Sequence, residues 1–228
     1  MADRTQESGK RLEDSELISC CLPAVGSSLL AAGKKRQHRK DALIFAQGDP
    51  ATSVMLIETG SAVWFRESIG GRRLIVKLEG PGQSLGLPAV VAGSTRLVSA
   101  AALEPLTVVE IPSSAILDVM LRDAAMATRI ARIALEDYMK LLAFVMEVTF
   151  HPVSHRILRL LLRLEEQGRR LDVTLRHRDF ADMVATTRET FTAQLGALER
   201  SGLIARSGHD VYIINPSVVR TMVEEPYT

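Results

Sequence analysis

The residue types best able to do chemistry lie close together, between Ala181 and Ile204. This stretch reads A-D-M-V-A-T-T-R-E-T-F-T-A-Q-L-G-A-L-E-R-S-G-L-I. An arginine at Arg188 can pair with the edge of a guanine, and a carboxylate at Glu189 can accept a hydrogen bond from the amino group of cytosine. The polar side chains that the stretch would present to a DNA groove are Thr186, Thr187, Arg188, Glu189, Thr192 and Gln194.

A helix must position these side chains. Glu189 lies three residues after Thr186, a capping-box signature that predicts a helix start there. Gly202 after a basic last turn predicts the helix end. The apolar stripe at helical spacing is Phe191, Leu195 and Leu198.

A second, shorter helix is predicted to open near Arg176 and to place Phe180, Met183 and Val184 on one face. Two short helices joined by about three or four residues form a helix-turn-helix, whose second helix can enter a DNA major groove. Strands at 203–206 and 211–214, joined by a turn at 207–210, would complete a winged helix.

Basic and polar residues flank the predicted groove-binding helix. We expect them to meet phosphates, which supply affinity without sequence information. For the residues that open the first helix, a solvated helix start is the alternative. The flanking set is Arg176, His177, Arg178, Arg206 and Ser207.

The composition is that of an ordinary globular chain of one or two domains: 228 residues, 46% hydrophobic and 24% charged, with a net charge of +1. Met1–Leu22 lacks the apolar core of a signal peptide, and no run of 18 apolar residues occurs, so we expect a cytoplasmic protein with no membrane partner.

The adjacent Cys20 and Cys21 fit a small buried helix face better than a redox site. No enzyme is predicted, because paired carboxylates, nucleophile–base spacing and a phosphate loop are missing from the sequence.

From Ala42 to Ile111 the chain alternates short apolar runs with glycine-rich turns. Strands at a spacing near ten residues predict a sandwich or jelly-roll barrel. Short helices are expected over 15–22 and 27–32. The basic run Lys34–Lys40 is either a nucleic-acid or anion patch or a solvated edge strand, and we favour the strand.

A long helix is predicted over about 123–149. It carries a second apolar stripe (Met126, Ile130, Ile133) able to pack onto the β domain, and two apolar faces on one helix suggest a dimer axis. A core helix packed only within its own chain is the alternative. The dimer seam at 4-3-4-3 spacing is Ala127, Ala131, Ala134, Tyr138, Leu141, Val145 and Val148.

His151-Pro152 breaks the helix and marks a domain boundary. A strongly apolar helix then follows over 157–164, and a short strand is predicted over 171–175. The fold class is therefore α+β, in four segments: an N-terminal extension (1–22), a β-roll (23–122), a dimerisation helix (123–149) and a winged helix-turn-helix (150–228).

The order of β-roll, long helix and winged helix, with the segment T-T-R-E-T-F-T-A-Q-L-G-A-L-E-R-S-G-L-I, closely resembles the CRP/FNR family of bacterial transcription regulators. The Q-G-D turn at 47–49, T-G at 59–60 and the G-x-x-L-G block at 82–86 also resemble that family's cyclic-nucleotide-binding-like roll. The resemblance extends from about residue 20 to residue 222.

The resemblance implies a homodimer on double-stranded DNA, with half-sites about one helical turn apart (~34 Å) and RNA polymerase as a partner. Arg188 and Glu189 match the family's base-reading pair, which favours base reading over capping for Glu189. Ala193 stands where the family often has a second arginine, so the half-site is expected to differ from the common types. Ala185 replaces a turn glycine and is strained if its φ is positive.

The same resemblance locates an effector pocket at Gly86, Leu87, Pro88, Arg96 and Leu97. In members that bind cyclic nucleotides, a glutamate and a hydroxyl residue hold the ligand, and leucines replace both here. Cyclic AMP is therefore disfavoured. An iron–sulfur cluster is disfavoured because two cysteines cannot supply four ligands. Haem stays open with His38 as a weak axial candidate, and the effector is left unknown.

Three functions remain open at this stage: an effector-controlled regulator, an effector-independent regulator of the same family, and an adaptor whose winged helix binds protein. The apolar run at 85–91 is either a pocket wall or roll core, and we favour roll core. Arg96 is either a ligand-binding residue or a solvated loop residue.

Overall fold

Glycine-punctuated apolar segments form a β-roll in a computed structural model, which describes residues 12–19, 21, 23–166, 177–207 and 210–224. Two four-stranded sheets have the strand orders β1-β8-β3-β6 and β2-β7-β4-β5. The strands are β1 (Lys34–His38), β2 (Leu43–Phe45), β3 (Ser53–Thr59), β4 (Ala62–Glu67), β5 (Arg73–Glu79), β6 (Ser84–Leu85), β7 (Ser99–Ala102) and β8 (Leu106–Pro112).

The two sheets face each other across an apolar interior, as alternating strand residues require. Ile57 and Leu85 from one sheet are fully buried in the same cluster as Ala62 and Ala100 from the other. This arrangement confirms the predicted α+β fold, with a jelly-roll-like first domain.

The basic run forms an edge strand. Among the described residues β1 pairs antiparallel with β8 alone, and its residues are exposed or half-buried. Lys35 lies 2.5 Å from Glu58 and Arg36 lies 3.2 Å from Glu110. The solvated edge-strand interpretation is confirmed by this pairing and exposure.

The N-terminal helices differ from prediction. A helix over 15–22 is wrong for its described residues, which form turns after a 3₁₀ helix at Leu12–Asp14. Glu16 N donates to Gly82 O at 3.1 Å and Cys21 N donates to Ile18 O at 3.0 Å, so long-range and turn hydrogen bonds take the place of a regular helical series. The next helix, α1 (Pro23–Ala32), starts earlier than predicted, because proline is favoured in a first helical turn. Cys21 packs beside Met126, with 3.5 Å between the sulfurs, and Cys20 lies outside the described residues.

A short helix, α2 (Leu87–Val91), lies between β6 and β7, and two helices follow β8: α3 (Ser113–Arg122) and the long α4 (Ala124–Phe150). Asp123 Oδ1 accepts hydrogen bonds from the amides of Ala125 and Met126, and so caps the start of α4. Met126 and Ile130 are buried in a cluster with residues of the roll, which confirms the second apolar stripe.

The predicted seam lies on the exposed side of α4. Tyr138 is 58% exposed, and Leu141 and Val145 are about half exposed. Ala131 and Ala134 are exposed, while Ala127 and Val148 are half-buried. An apolar row left open to solvent on one chain is what a dimer interface needs.

The C-terminal helices and hairpin enclose a separate core. The elements are α5 (Val153–Glu166), α6 (His177–Met183), α7 (Arg188–Arg200), β9 (Ile204–Ser207), β10 (Asp210–Ile213) and α8 (Pro216–Glu224). Leu161, Phe180, Phe191 and Ile204 meet in one buried cluster, which holds α6 and α7 in a fixed pair. The strand predicted at 171–175 falls outside the described residues, and α8 was not predicted.

The described residues divide into two units. One lies within Met1–Gly71 and Val76–Asp137, and the other within Arg72–Ile75 and Tyr138–Thr228. No helix of the described residues is long and apolar enough to cross a membrane.

Candidate nucleic-acid interface and roll pocket

The turn between α6 and α7 is tight and strained. Val184 N donates to Phe180 O at 3.1 Å, and Thr186 N donates to Ala181 O at 2.9 Å. Between them Ala185 adopts a φ of 53°, the left-handed conformation that favours glycine. The strain anticipated for this alanine is therefore present in the folded chain.

Thr187 caps α7. Its side chain accepts a hydrogen bond from Thr190 N at 3.2 Å, and the two hydroxyl oxygens are 3.0 Å apart. The capping box predicted from Thr186 to Glu189 is thus wrong by one residue. Thr187 has the extended backbone of an N-cap residue, whereas Thr186 still belongs to the turn. The third helical position is Thr190, and Glu189 is an exposed side chain at the second.

The first turns of α7 present a polar face to solvent. Arg188, Glu189 and Thr192 are exposed, and the hydroxyl of Thr192 donates to Arg188 O at 2.9 Å. Gln194 is half-buried, while Phe191 and Leu195 of the apolar stripe are fully buried. The apolar stripe fixes the rotation of the helix and leaves the arginine and glutamate of its first turn exposed.

Arg156 holds the turn through the backbone carbonyls of Val184 and Ala185. The sequence alone did not identify this residue. This buried arginine on α5 is 8% exposed, and its Nη1 donates to Val184 O at 2.5 Å and lies 3.4 Å from Ala185 O. Burial lowers the pKa of its guanidinium, and the charge of Glu147 opposes that shift. An arginine in a strongly apolar helix was the available signal.

The wing is linked to α7 by an ion pair. Arg206 on β9 donates through Nε to Glu199 Oε2 at 2.8 Å and through Nη2 to the same oxygen. The pair is exposed, and it lowers the pKa of Glu199 and raises that of Arg206. Arg178 is exposed on α6. Arg176 and the side chains of His177 and Ser207 lie outside the described residues.

A cavity of about 260 Å³ lies within the first unit, between the roll and the first half of α4. Its apolar walls include Leu87, Pro88, Val91 and Ile133. Of the five residues predicted for an effector pocket, Leu87 and Pro88 line this cavity. Gly86, Arg96 and Leu97 do not, and neither does His38.

The guanidinium of Arg96 is hydrogen-bonded to the backbone of the roll. The residue is 3% exposed, which makes the solvated-loop interpretation wrong. Its guanidinium donates to Gly86 O at 2.8 Å and to Ser53 O at 2.5 Å, and it lies 4.4 Å from the centre of the Phe45 ring. Gly86 has a φ of 82°, and a Cβ there would come within 1.9 Å of Arg96 Nη1, so any other residue would strain the backbone and displace the guanidinium. Leu97 is 66% exposed.

Charged groups missed by sequence reasoning stand on one side of the cavity. Lys77 Nζ lies 2.6 Å from Glu79 Oε1 and 2.9 Å from both carboxylate oxygens of Asp137. Burial lowers the pKa of Lys77, but the two carboxylates outweigh it and raise that pKa above its ordinary value. Burial also raises the pKa of Glu79 to about 7, even though Lys77 acts in the opposite direction. Lys77 and Glu79 are two residues apart on β5, which was the only sequence signal for this cluster.

Comparison with known proteins adds an independent view of both domains. Residues 35–123 match the cyclic nucleotide-binding domain, and residues 155–222 match the Crp-like helix-turn-helix domain. The two matches follow the order of the roll and the winged helix along the chain. The protein belongs to the CRP/FNR family of transcription regulators.

Relatives of this regulator cover most of its length. The cyclic AMP receptor protein of Thermus thermophilus is 25% identical over 193 residues, which are 85% of this chain and 89% of that protein. The structure of FixK2 from Bradyrhizobium japonicum has a TM-score of 0.76 at 20% identity, and covers 86% of this chain and 99% of its own. The c-di-GMP responsive global regulator CLP of Xanthomonas campestris has a TM-score of 0.74 at 21% identity, and covers 84% and 99%. The two structures share the fold.

The roll of this CRP/FNR regulator does not fit a cyclic nucleotide. A cyclic phosphate needs cationic donors, but Arg96 is buried and bonded to two backbone carbonyls. The cation among the described residues that line the cavity, Lys77, is already bonded to Glu79 and Asp137, and Glu16 adds a third acidic side chain, so the lining disfavours an anion. A cyclic nucleotide is therefore not assigned to this site.

Proposed function

We propose that this CRP/FNR regulator binds a near-palindromic DNA operator as a homodimer and inserts the start of α7 into the major groove of each half-site. The observation that carries the proposal is the exposed Arg188–Glu189 pair at the first turn of α7, oriented by the buried Phe191 and Leu195. Side chains at the start of such a helix contact base edges. Arginine to guanine and glutamate to cytosine are the matching contacts.

The dimer rests on the seam of α4, where Ala131, Ala134, Tyr138, Leu141 and Val145 are all exposed among the described residues of one chain. Two-fold symmetry of the protein calls for two-fold symmetry of the operator, with half-sites about one turn, ~34 Å, apart. The regulator would act in the cytoplasm and contact RNA polymerase once bound.

Control would come from the roll. A ligand in the cavity beside α4 would favour one arrangement of the two seam helices, and with it one spacing of the two copies of α7. An effector-independent regulator of the same family is the alternative, and the Lys77–Asp137 contact favours it, because that contact already joins β5 to α4.

Selection from random duplexes by the purified full chain tests the proposal. We expect a palindrome to be recovered without added ligand if the protein is competent alone, and its half-site would differ from that of relatives with arginine at the position of Ala193. Recovery of nothing would require the same selection with added cyclic nucleotides, haem and organic amines.

The control is Arg188→Ala carried through the same selection. It should retain salt-dependent binding to any duplex and enrich no sequence. Enrichment of the same palindrome by Arg188→Ala would contradict the proposed reading contacts. Duplex binding by neither protein under any condition would favour a protein-binding adaptor.

A further inference from the structure

We propose that the roll cavity binds a small organic amine, with its ammonium group at Glu79 and its apolar body against α2 and α4. The inference rests on the proposed function, since it names the chemistry of the effector in the roll. It does not depend on DNA binding, and it can be tested without DNA.

One carboxylate oxygen of Glu79 is a buried acceptor without a donor among the described residues. Glu79 is 1% exposed, and Lys77 bonds its Oε1 at 2.6 Å. Its other oxygen, Oε2, has no hydrogen-bond partner among the described residues. A buried carboxylate oxygen without a donor is costly, and a ligand that brings an N–H to it recovers that cost.

The described lining of the cavity carries more acidic than basic side chains. The described residues that line the cavity include the acids Glu16, Glu79 and Asp137 and a single cation, Lys77. Glu16 is paired outside the lining with Arg129 at 2.7 Å. Counting Arg129, three acids and two bases leave one negative charge once Glu79 is ionised, and Glu79 titrates near pH 7, so a cation that holds it ionised is favoured and an anion is disfavoured.

The remaining walls of the cavity are largely apolar and include an aromatic ring. Leu87, Val91, Ile130 and Ile133 offer apolar surface from two helices. Trp64 also lines the cavity, and its ring already lies 5.7 Å from the ammonium of Lys77. Aromatic faces attract ammonium groups, so this wall and the acids select the same kind of ligand. A volume of about 260 Å³ restricts the ligand to a small molecule.

Binding of an ammonium ion at Glu79 should change the number of protons that the protein holds. The carboxyl titrates near neutrality because it is buried, and the charged groups that face it are Lys77 and Asp137, with Glu16 further along the same wall. A bound cation stabilises the ionised carboxylate, so binding releases protons at pH 7 and tightens as pH rises from 6 to 8.

Calorimetry on the full chain with three matched probes tests the inference: 2-phenylethylamine, 2-phenylethanol and 3-phenylpropionate. We expect the amine to bind at least tenfold more tightly than the carboxylate, with the alcohol between them. Repeating the titration in two buffers of different ionisation enthalpy should reveal proton release with the amine alone. Equal affinity for amine and carboxylate, or no binding of the amine, would overturn the proposal.

Glu79→Gln and Glu58→Gln form the variant pair. Both glutamates belong to the roll, but Glu58 is bonded to Lys35 and does not line the cavity. Glu79→Gln should weaken the amine at least tenfold and remove the proton release, and Glu58→Gln should change neither. An unchanged amine affinity in Glu79→Gln would also reject the assignment. None of these outcomes bears on duplex selection, so a failure here is separable from a failure of the DNA-binding proposal.

Discussion

Arg188 is the side chain on which sequence-specific binding most directly depends, because it is exposed in the first turn of a helix that Phe191 and Leu195 hold in the core. Arg188→Ala removes one guanine contact from each of the two half-sites, so it should weaken binding of the dimer to the selected operator by about 2–6 kcal/mol, or roughly 30- to 25,000-fold. The dimer should stay intact. Fluorescence anisotropy with operator and scrambled duplexes measures the loss. Arg200→Ala, at the far end of the same helix, is the control, and a change within twofold for Arg188→Ala would contradict base reading.

Ala185 is held in a conformation that glycine adopts at lower cost. At a φ of 53° an L-residue loses roughly 1 kcal/mol relative to glycine, part of which is offset because glycine has more freedom in the unfolded chain. Ala185→Gly should therefore raise the free energy of unfolding by about 0.5 kcal/mol. Chemical denaturation measures the change.

Ala197→Gly supplies the matched control for this substitution. Ala197 is an exposed residue inside α7, where glycine should lower the free energy of unfolding by about 0.5–1 kcal/mol. If both glycine variants lost stability to the same extent, the left-handed strain at Ala185 would have no energetic consequence.

Among the elements, α4 has two faces with different tasks. Met126 and Ile130 pack into the roll, while Tyr138 and Leu141 stay open to solvent. Tyr138→Glu would place a charge on the proposed seam, where burial of an unpaired carboxylate is strongly unfavourable. The dimer dissociation constant should rise more than about tenfold, which corresponds to about 1.4 kcal/mol. Light scattering over a dilution series measures it.

The control for the seam is Arg132→Glu, an exposed position of α4 outside the seam row. It should leave the dimer in place. A dimer that persists unchanged in Tyr138→Glu would show that another surface joins the two copies, or that the helix serves only its own chain.

The elements also show which parts of the fold and site sequence can predict. The winged helix was predictable because its signals are local: a threonine cap, an apolar stripe and a glycine stop within about twenty residues of chain. The exact cap was not, since Thr186 and Thr187 are equivalent in sequence and only the turn geometry separates them. The cavity was unpredictable for another reason. Trp64, Lys77 and Asp137 come from distant segments, and only strand pairing and helix packing bring them together.

At the scale of the whole molecule, one buried carboxyl links stability to pH. Burial raises the pKa of Glu79 from 4.5 to about 7, so the folded chain holds a proton that the unfolded chain has released. The stability that this proton contributes is fully present below pH 4.5 and is lost as pH rises through about 7. Between those values the free energy of unfolding should fall with pH, and the contribution of Glu79 should not exceed about 3 kcal/mol.

Glu79→Gln isolates this contribution, since an amide keeps the shape of the carboxyl and does not titrate. Urea unfolding of the two proteins from pH 5 to pH 8 should give curves that separate as pH rises, with the variant the more stable at pH 8. Glu58→Gln on the roll surface should follow the parent curve at every pH. A constant difference between parent and Glu79→Gln would mean that the carboxyl stays ionised throughout, and the cavity would then hold a permanently charged cluster rather than one that titrates near neutrality.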